Sequence, residues 1–361
     1  MLTLEETLKS QADLGRLCAD RPLRTSEIFG GNAFYGNDAV LKRYAGVPQT
    51  HRLKVVVPHG VYLLEDYVWE LEVATPLPAV MCYPPYRELA YARHTTKKVI
   101  LSAAPFAYVV EMLKNQPRPE REGTIFFPVH STHFETVHAD FDRLAERLVQ
   151  LDDEYQPVTV CMYWRDVDLG RHVPFQERGL RLVSAGHMFG NPDFLYRLYH
   201  LCSMHRYAAG NGFGGHLFFA VKAGCAYFHV DEPWSDYEMD GGLSPDALRK
   251  AESGLKFESE LKALFSEPRS VMTRDQLDAV DYYLGAAYLK SPRGLRDDLL
   301  YAERLDKFGV LVGRRGTRRL AVPTYCRRRY QAVVSRLPRP LKRLMKHAWL
   351  RLRGFGSPSG R

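Results

Sequence analysis

Cysteine is scarce in this chain, and what there is of it is scattered. The six cysteines, Cys18, Cys82, Cys161, Cys202, Cys225 and Cys326, form no C-x-x-C pair. That spacing excludes a zinc-ribbon reading and a disulfide framework, and the mostly apolar neighbours suit buried thiols in a reducing compartment. Long hydrophobic runs are absent too. No apolar stretch approaches the ~20 residues a membrane span needs, so any membrane contact is expected to be peripheral. The first twenty residues carry acids early and lack an apolar core, so no signal peptide is expected there. No fixed-period repeat occurs. Neither a Gly-Lys-Ser/Thr phosphate loop nor a G-x-G-x-x-G with a well-placed ribose-binding acid is present, which sets aside P-loop ATPases and dinucleotide oxidoreductases.

Acidic side chains are missing from the end of the chain. The last is Asp306, and residues 311–361 hold 15 Lys and Arg. The net charge of +8 therefore belongs to the tail: residues 1–310 hold the other 35 basic side chains against all 42 acidic ones, a net of −7. An acidic body argues against nucleic acid as a partner, because phosphate contacts need cations spread over the binding face.

What is present is a rhythm of short β-branched runs alternating with helical patterns. Strands are expected at 53–57, 79–83, 98–102, 124–129, 158–163, 181–184 and 226–230. Such unbroken apolar runs suit strands buried on both faces of parallel sheets. Helices are expected at 106–115, 134–151 and 193–206, with further helices at 245–266 and 273–289 after the strand signal stops at Asp231. This alternation predicts an α/β chain of two Rossmann-like, doubly wound domains with ligands at the carboxyl ends of the strands. The charged, proline-rich 115–123 (NQPRPEREG) reads as the linker. The expected division is 1–118, 119–240, a helical appendage at 241–310, and the basic tail at 311–361.

Several polar motifs fall at strand ends. AAGNGFGGHLFFAV (208–221) is a Gly-rich loop opening into an apolar helix, where close backbone approach and free N–H groups suit a phosphate; Asn211, Gly212, Gly214, Gly215 and His216 are its candidates. The plainer reading is a tight turn. FPVHSTH (127–133) offers His130, Ser131 and Thr132 to a phosphorylated ligand, although Ser131 and Thr132, with Glu135 following, also fit a helix capping box. SAGH (184–187) and YWRD (163–166) offer Gly186, His187 and Arg165, with aromatics suited to stacking on a base. VPHG (57–60) places His59 after a strand, where a near-neutral imidazole suits general-base work on a sugar hydroxyl, or else a hydrogen-bonded turn. The FGGNAFYGND loop (29–38) can shape the acceptor side. Asp166-Val167-Asp168 and Asp140-Phe141-Asp142 are chance-level D-x-D triplets, and no metal is expected.

These motifs in this order, FYGND with VLKRYAG, VVVPHG, FFPVHST, VTVCMYWRD, LVSAGH and DFLYRLYHLCSMHRYAAGNGFGGHLFFAVKAGCAYFHVDEP, resemble bacterial capsule, O-antigen and related polysaccharide-biosynthesis glycosyltransferases of the B-type fold. The resemblance spans about residues 28–235. It implies a metal-independent enzyme with no cofactor beyond its nucleotide-sugar donor. His130, Ser131, Thr132 and the 211–216 loop would meet the donor phosphate, Gly186 and His187 would flank the nucleotide, Asp231 and Glu232 would lie near the ribose or sugar, and His59 would be the base. The acceptor would be a lipid-linked or growing glycan. A polyol-phosphate transferase, a nucleotide-sugar epimerase and a non-catalytic assembly scaffold are the alternatives.

The tail completes the expectation. From Leu341, apolar residues at 341, 344, 345, 348, 349 and 352 make one helical stripe, opened by Pro340 and ended by Gly354. Trp349 and the leucines can insert among headgroups while Arg327, Arg328, Arg329, Lys342, Arg343, Lys346, Arg351 and Arg353 meet anionic lipid, which would hold the protein on the cytoplasmic face of the membrane. Docking of the tail on the acidic body is the other reading.

Overall fold

The computed structural model describes residues 1–61, 67–132, 135–232, 234–239 and 259–308. The membrane-binding residues assigned to the tail lie outside these, as do Glu65 and Asp66 after the VPHG motif.

Two parallel sheets organise the chain. The first orders β1 (Val55–Val56), β2 (Ala79–Cys82) and β3 (Lys98–Leu101) side by side. The second contains β4 (Thr124–Phe127), β6 (Val158–Cys161), β7 (Arg181–Val183), β8 (Tyr207–Gly210) and β9 (Ala226–His229), in the order β7-β6-β4-β8-β9 and parallel throughout. The chain steps outward from β4 to β7, then returns to β4's other side. That reversal puts a topological switch point at the carboxyl ends of β4 and β8, where a doubly wound sheet opens a crevice.

Alternation along β4 explains why the second sheet is covered on both faces. Ile125 and Phe127 enter a core with α10 (Phe194–Ser203) and α11 (Gly215–Ala223), whereas Phe126 packs with Phe141, Leu144 and Leu148 of α7 (Phe141–Val149). The fold is thus α/β, with parallel sheets and helices, as the strand pattern implied.

The ends of the described chain cross between the units. Helices α1 (Leu4–Ser10) and α2 (Leu14–Cys18) pack on α10 and on α8 (Trp164–Asp168) in the second half. Helix α13 (Pro292–Phe308) packs on α3 (Asn37–Ala45) and β1 in the first half, and pairs with the loop between them through His51–Glu303 at 2.6 Å and Lys54–Asp306 at 2.8 Å. Among the described residues no helix is long and apolar enough to cross a membrane.

Other expectations are corrected here. The helix expected over 134–151 is two elements: β5 (Glu135–Ala139), paired antiparallel with β10 (Trp234–Met239), and then α7. Asp140 divides them, because its carboxylate accepts the Arg143 N–H at 2.9 Å and starts the helix there. The Ser131-Thr132 capping box accordingly has no helix to cap. Strand signal continues past Asp231 in β10. The weak composition of β8, Tyr-Ala-Ala-Gly, hid a central strand. At Gly210 a Cβ would come within 2.8 Å of both His216 Nε2 and the Tyr227 hydroxyl, so close packing rather than β-propensity selects its residues.

Candidate functional site

A cavity of about 320 Å3 lies between the two sheets. Segments following seven parallel strands reach it: His59 and Gly60 after β1, Tyr83 after β2, Ala104 to Phe106 after β3, Pro128 and His130 after β4, Tyr163 after β6, Ser184 to Gly186 after β7, and Gly214 to His216 after β8. The carboxyl ends of both sheets therefore face one another across a single space. Two nine-residue helices begin there: α6 (Pro105–Leu113), with Pro105 in its first turn, and α11. Neither has a side-chain cap, so the positive ends of two helix dipoles face the cavity, although Pro105 has no N–H and the Ala107 and Leu217 N–H groups donate to the Ala104 and Gly214 carbonyls.

Local geometry fixes the base candidate. Asn32 replaces a missing strand neighbour of β1, since its Nδ2 donates to the Val55 carbonyl at 3.0 Å and its Oδ1 accepts the Val57 N–H at 2.8 Å. The Tyr83 hydroxyl then donates to the Pro58 carbonyl, holding the turn that carries His59. Phe34 and Trp69 meet the imidazole edge to face, with centroids 5.6 and 4.7 Å away. Burial and the nearby Arg87 guanidinium push the His59 pKa down to about 4, so the ring is neutral at pH 7 but a weaker base than the near-neutral imidazole expected from the sequence.

In the second half His130 stacks on Tyr163 at 4.1 Å, and its Nδ1 lies 3.2 Å from the Ser131 carbonyl. Beneath it, buried Asp166 accepts the Ser131 N–H at 3.1 Å and an Arg171 N–H at 2.9 Å. Burial raises the Asp166 pKa, while His130, Ser131 and Arg171 oppose that rise. Burial, with His130 nearby, lowers the His216 pKa to about 3, so this histidine is neutral at pH 7 and lies 3.3 Å from the Tyr227 hydroxyl.

Six expected site residues line the cavity: His59, His130, Gly186, Gly214, Gly215 and His216. The others have different places. Ser131 is buried, with its Oγ accepting from the Val137 N–H and from Arg171. Asn211 is a tie between β8 and β4, its Oδ1 accepting the Val129 N–H at 2.9 Å. His187 has both ring nitrogens engaged, by Asp20 at 3.2 Å and the Phe189 N–H at 2.9 Å. Arg165 pairs with Asp168 at 2.6 Å on the surface, Asp231 with Lys262 at 2.7 Å, and Glu232 with Arg143 at 2.7 Å. Thr132 and Gly212 also lie off the cavity wall.

Two cavity features escaped the sequence reading. The helix at 106–115 was expected, but not that its N-terminus, with Pro105 in the favoured first position, would face the cavity. Tyr35 has φ +57, a left-handed backbone that non-glycine residues rarely adopt. Its N–H donates to the Met188 carbonyl at 2.8 Å, so contact with the second half holds that conformation. No composition signal announces such a residue.

No protein-family model and no curated protein matches this sequence. Among solved structures, the wall teichoic acid polymerase TagF aligns with 70% of this chain and 68% of its own, at 10% identity and a TM-score of 0.34. A UDP-GlcNAc 2-epimerase from Neisseria meningitidis bound to UDP-GlcNAc aligns with 80% of this chain and 84% of its own, at 11% identity and a TM-score of 0.33. Likeness at that level assigns no activity to the chain.

Proposed function

We propose that the protein is a glycosyltransferase that moves a sugar from a nucleotide-sugar, bound at the carboxyl ends of the second sheet, to a glycan acceptor held over the first. One observation carries this reading: a single cavity where the strand ends of two parallel α/β units meet, with the uncapped N-termini of α6 and α11 directed into it. In the transfer, the acceptor hydroxyl gives its proton to neutral His59 as its oxygen bonds to the anomeric carbon. The bond from that carbon to the donor phosphate breaks, and the nucleotide leaves with the electron pair. Developing negative charge on the leaving group is offset by the two helix N-termini and by hydrogen bonds from the histidine side of the cavity.

The test uses His59→Ala and a panel of UDP-, GDP-, CMP- and dTDP-sugars. A donor that binds only the folded chain raises its melting temperature. The expected result is a shift with one donor class in both proteins, with transfer reduced about 10²- to 10⁴-fold in the variant. Retained turnover would remove His59 as base, and no shift with any donor would favour the scaffold alternative.

The acceptor reading extends to the tail. A segment with 15 basic and no acidic side chains suits an anionic membrane surface, each cation contributing about 1 kcal/mol near it. That surface would bring the first sheet's side of the cavity to a lipid-linked glycan. Removal of residues 311–361 should abolish sedimentation with phosphatidylglycerol vesicles while sparing transfer to a soluble acceptor. Binding that survives the deletion would exclude the tail as anchor.

A further inference from the structure

The loop after β7 lines the cavity at Ser184, Ala185 and Gly186, yet much of what holds it comes from the opposite end of the sequence. Helix α1 is seated first. Thr3 and Glu6 form a reciprocal capping box at its start, the Leu2 carbonyl meets His200 Nε2 at 2.9 Å, and Arg197 Nε donates to Ser10 Oγ at 3.1 Å. On that base the Gln11 amide is oriented by its own donors: Nε2 lies 3.2 Å from both the Thr7 carbonyl and Ser10 Oγ. Its Oε1 is left to accept the Ser184 N–H at 2.8 Å.

Helix α2 continues the contact along the same loop. The Leu17 carbonyl accepts the His187 N–H at 3.1 Å, and Asp20 meets His187 Nε2 at 3.2 Å. The Leu17 side chain lies so close to Gly186 that a Cβ there would be 2.9 Å from its Cδ1, and Gly186 has φ +94. Two backbone N–H groups, one imidazole and one close apolar contact thus tie Ser184, Gly186 and His187 to residues 11–20. The loop is a short connection between buried elements, and without these ties its backbone donors would lose their partners.

We infer that residues 4–20 form a strap that sets the conformation of the cavity-lining loop 184–187, and that Gln11 is a positioning residue for whatever ligand that loop meets. The effect on binding rests on the donor-site reading of the cavity, whereas the effect on the loop does not.

The experiment compares the full-length chain with Gln11→Ala and Gln11→Glu, the latter keeping an oxygen that can accept from Ser184. Two quantities are measured: amide hydrogen exchange at residues 184–187, and the Kd of UDP, GDP, CDP and dTDP by calorimetry. A hydrogen bond contributes about 0.5–1.5 kcal/mol, so Gln11→Ala should speed exchange at Ser184 by up to about tenfold and weaken nucleotide binding by a similar factor. Gln11→Glu should restore only part of both, because it keeps an oxygen for the Ser184 N–H but loses the Nε2 donors to Thr7 and Ser10. A melting temperature close to that of the unsubstituted chain confirms that the fold is retained. Unchanged exchange at Ser184 in Gln11→Ala overturns the strap. Faster exchange with unchanged Kd overturns the positioning role. If the unsubstituted chain binds none of the four nucleotides, the donor-site reading fails, and the exchange measurement alone decides the strap.

Discussion

The hydroxyl of Tyr35, from the first half, meets that of Tyr163, from the second, at 3.3 Å across the cavity. Tyr163 also donates to Met188 Sδ at 3.2 Å, on the residue whose carbonyl holds the Tyr35 backbone. Tyr35→Phe deletes the hydroxyl pair and keeps the ring against Phe194, whose centroid is 4.9 Å away. The expected loss is about 1 kcal/mol, or about 2 °C in calorimetric Tm for a chain of this size. An unchanged Tm would mean that the pair adds nothing to the joining of the halves.

The next residue closes the same joint. Gly36 has φ +71, and a Cβ there would lie 2.7 Å from the Pro192 carbonyl oxygen. Gly36→Ala is expected to cost about 1–3 kcal/mol in urea unfolding, from left-handed backbone strain and from pushing the two halves apart. Gly60 has nothing within 4 Å of a Cβ and no positive φ, so Gly60→Ala should leave the urea midpoint unharmed. Equal effects at the two glycines would contradict this account.

Asp166 supports the His130 side of the cavity from below. Asp166→Ala leaves the Ser131 N–H and the Arg171 guanidinium without their carboxylate in a buried place, at an expected cost of about 3–5 kcal/mol. Asp166→Asn retains an acceptor oxygen and should cost less. Urea midpoints of the two variants test the order, and a larger loss for the amide would refute it.

Three histidines make the fold sensitive to acid. Burial is the first cause in each, lowering His59 and His205 to about 4 and His216 to about 3. An unfolded chain takes up these protons near the ordinary 6.5 while the native chain refuses them. Stability is therefore full above pH 6.5 and declines as pH falls toward 4, because the unfolded state binds more protons over that interval. The urea midpoint should drop steadily between pH 7 and 4. The neutral form of His59 persists through the same range, so the acid limb of kcat/KM for transfer should lie near 4 in the free enzyme; a limb at 6.5 would place the essential base elsewhere.

Much of the second half was legible in residue order. Runs such as TIFF and VTVC are apolar without alternation because both faces of their strands are covered, and such runs can be seen without knowing their neighbours. Tyr-Ala-Ala-Gly in β8 was not legible, since its Gly210 answers to His216 and Tyr227 packed against it. The stretch before Asp140 was misread for a related reason: β5 pairs with β10, nearly a hundred residues on, and helical spacing beyond Asp140 masked that partner.

The candidate site divides in the same way. Local order alone determined that polar motifs follow apolar strands, and so singled out His59, His130 and the 211–216 loop, because a strand's end is encoded where its apolar run stops. It also determined the separation of an acidic body from a basic tail, which needs only counting. Tertiary structure decided which of those groups share a cavity. Ser131, Asn211 and His187 were drawn into hydrogen bonds with Arg171, Val129 and Asp20, while Tyr35 was brought to the cavity wall by a carbonyl from the other half. The reason is that a buried polar side chain goes where its partner is, and these partners lie 40 to 167 residues away, beyond the reach of any local pattern.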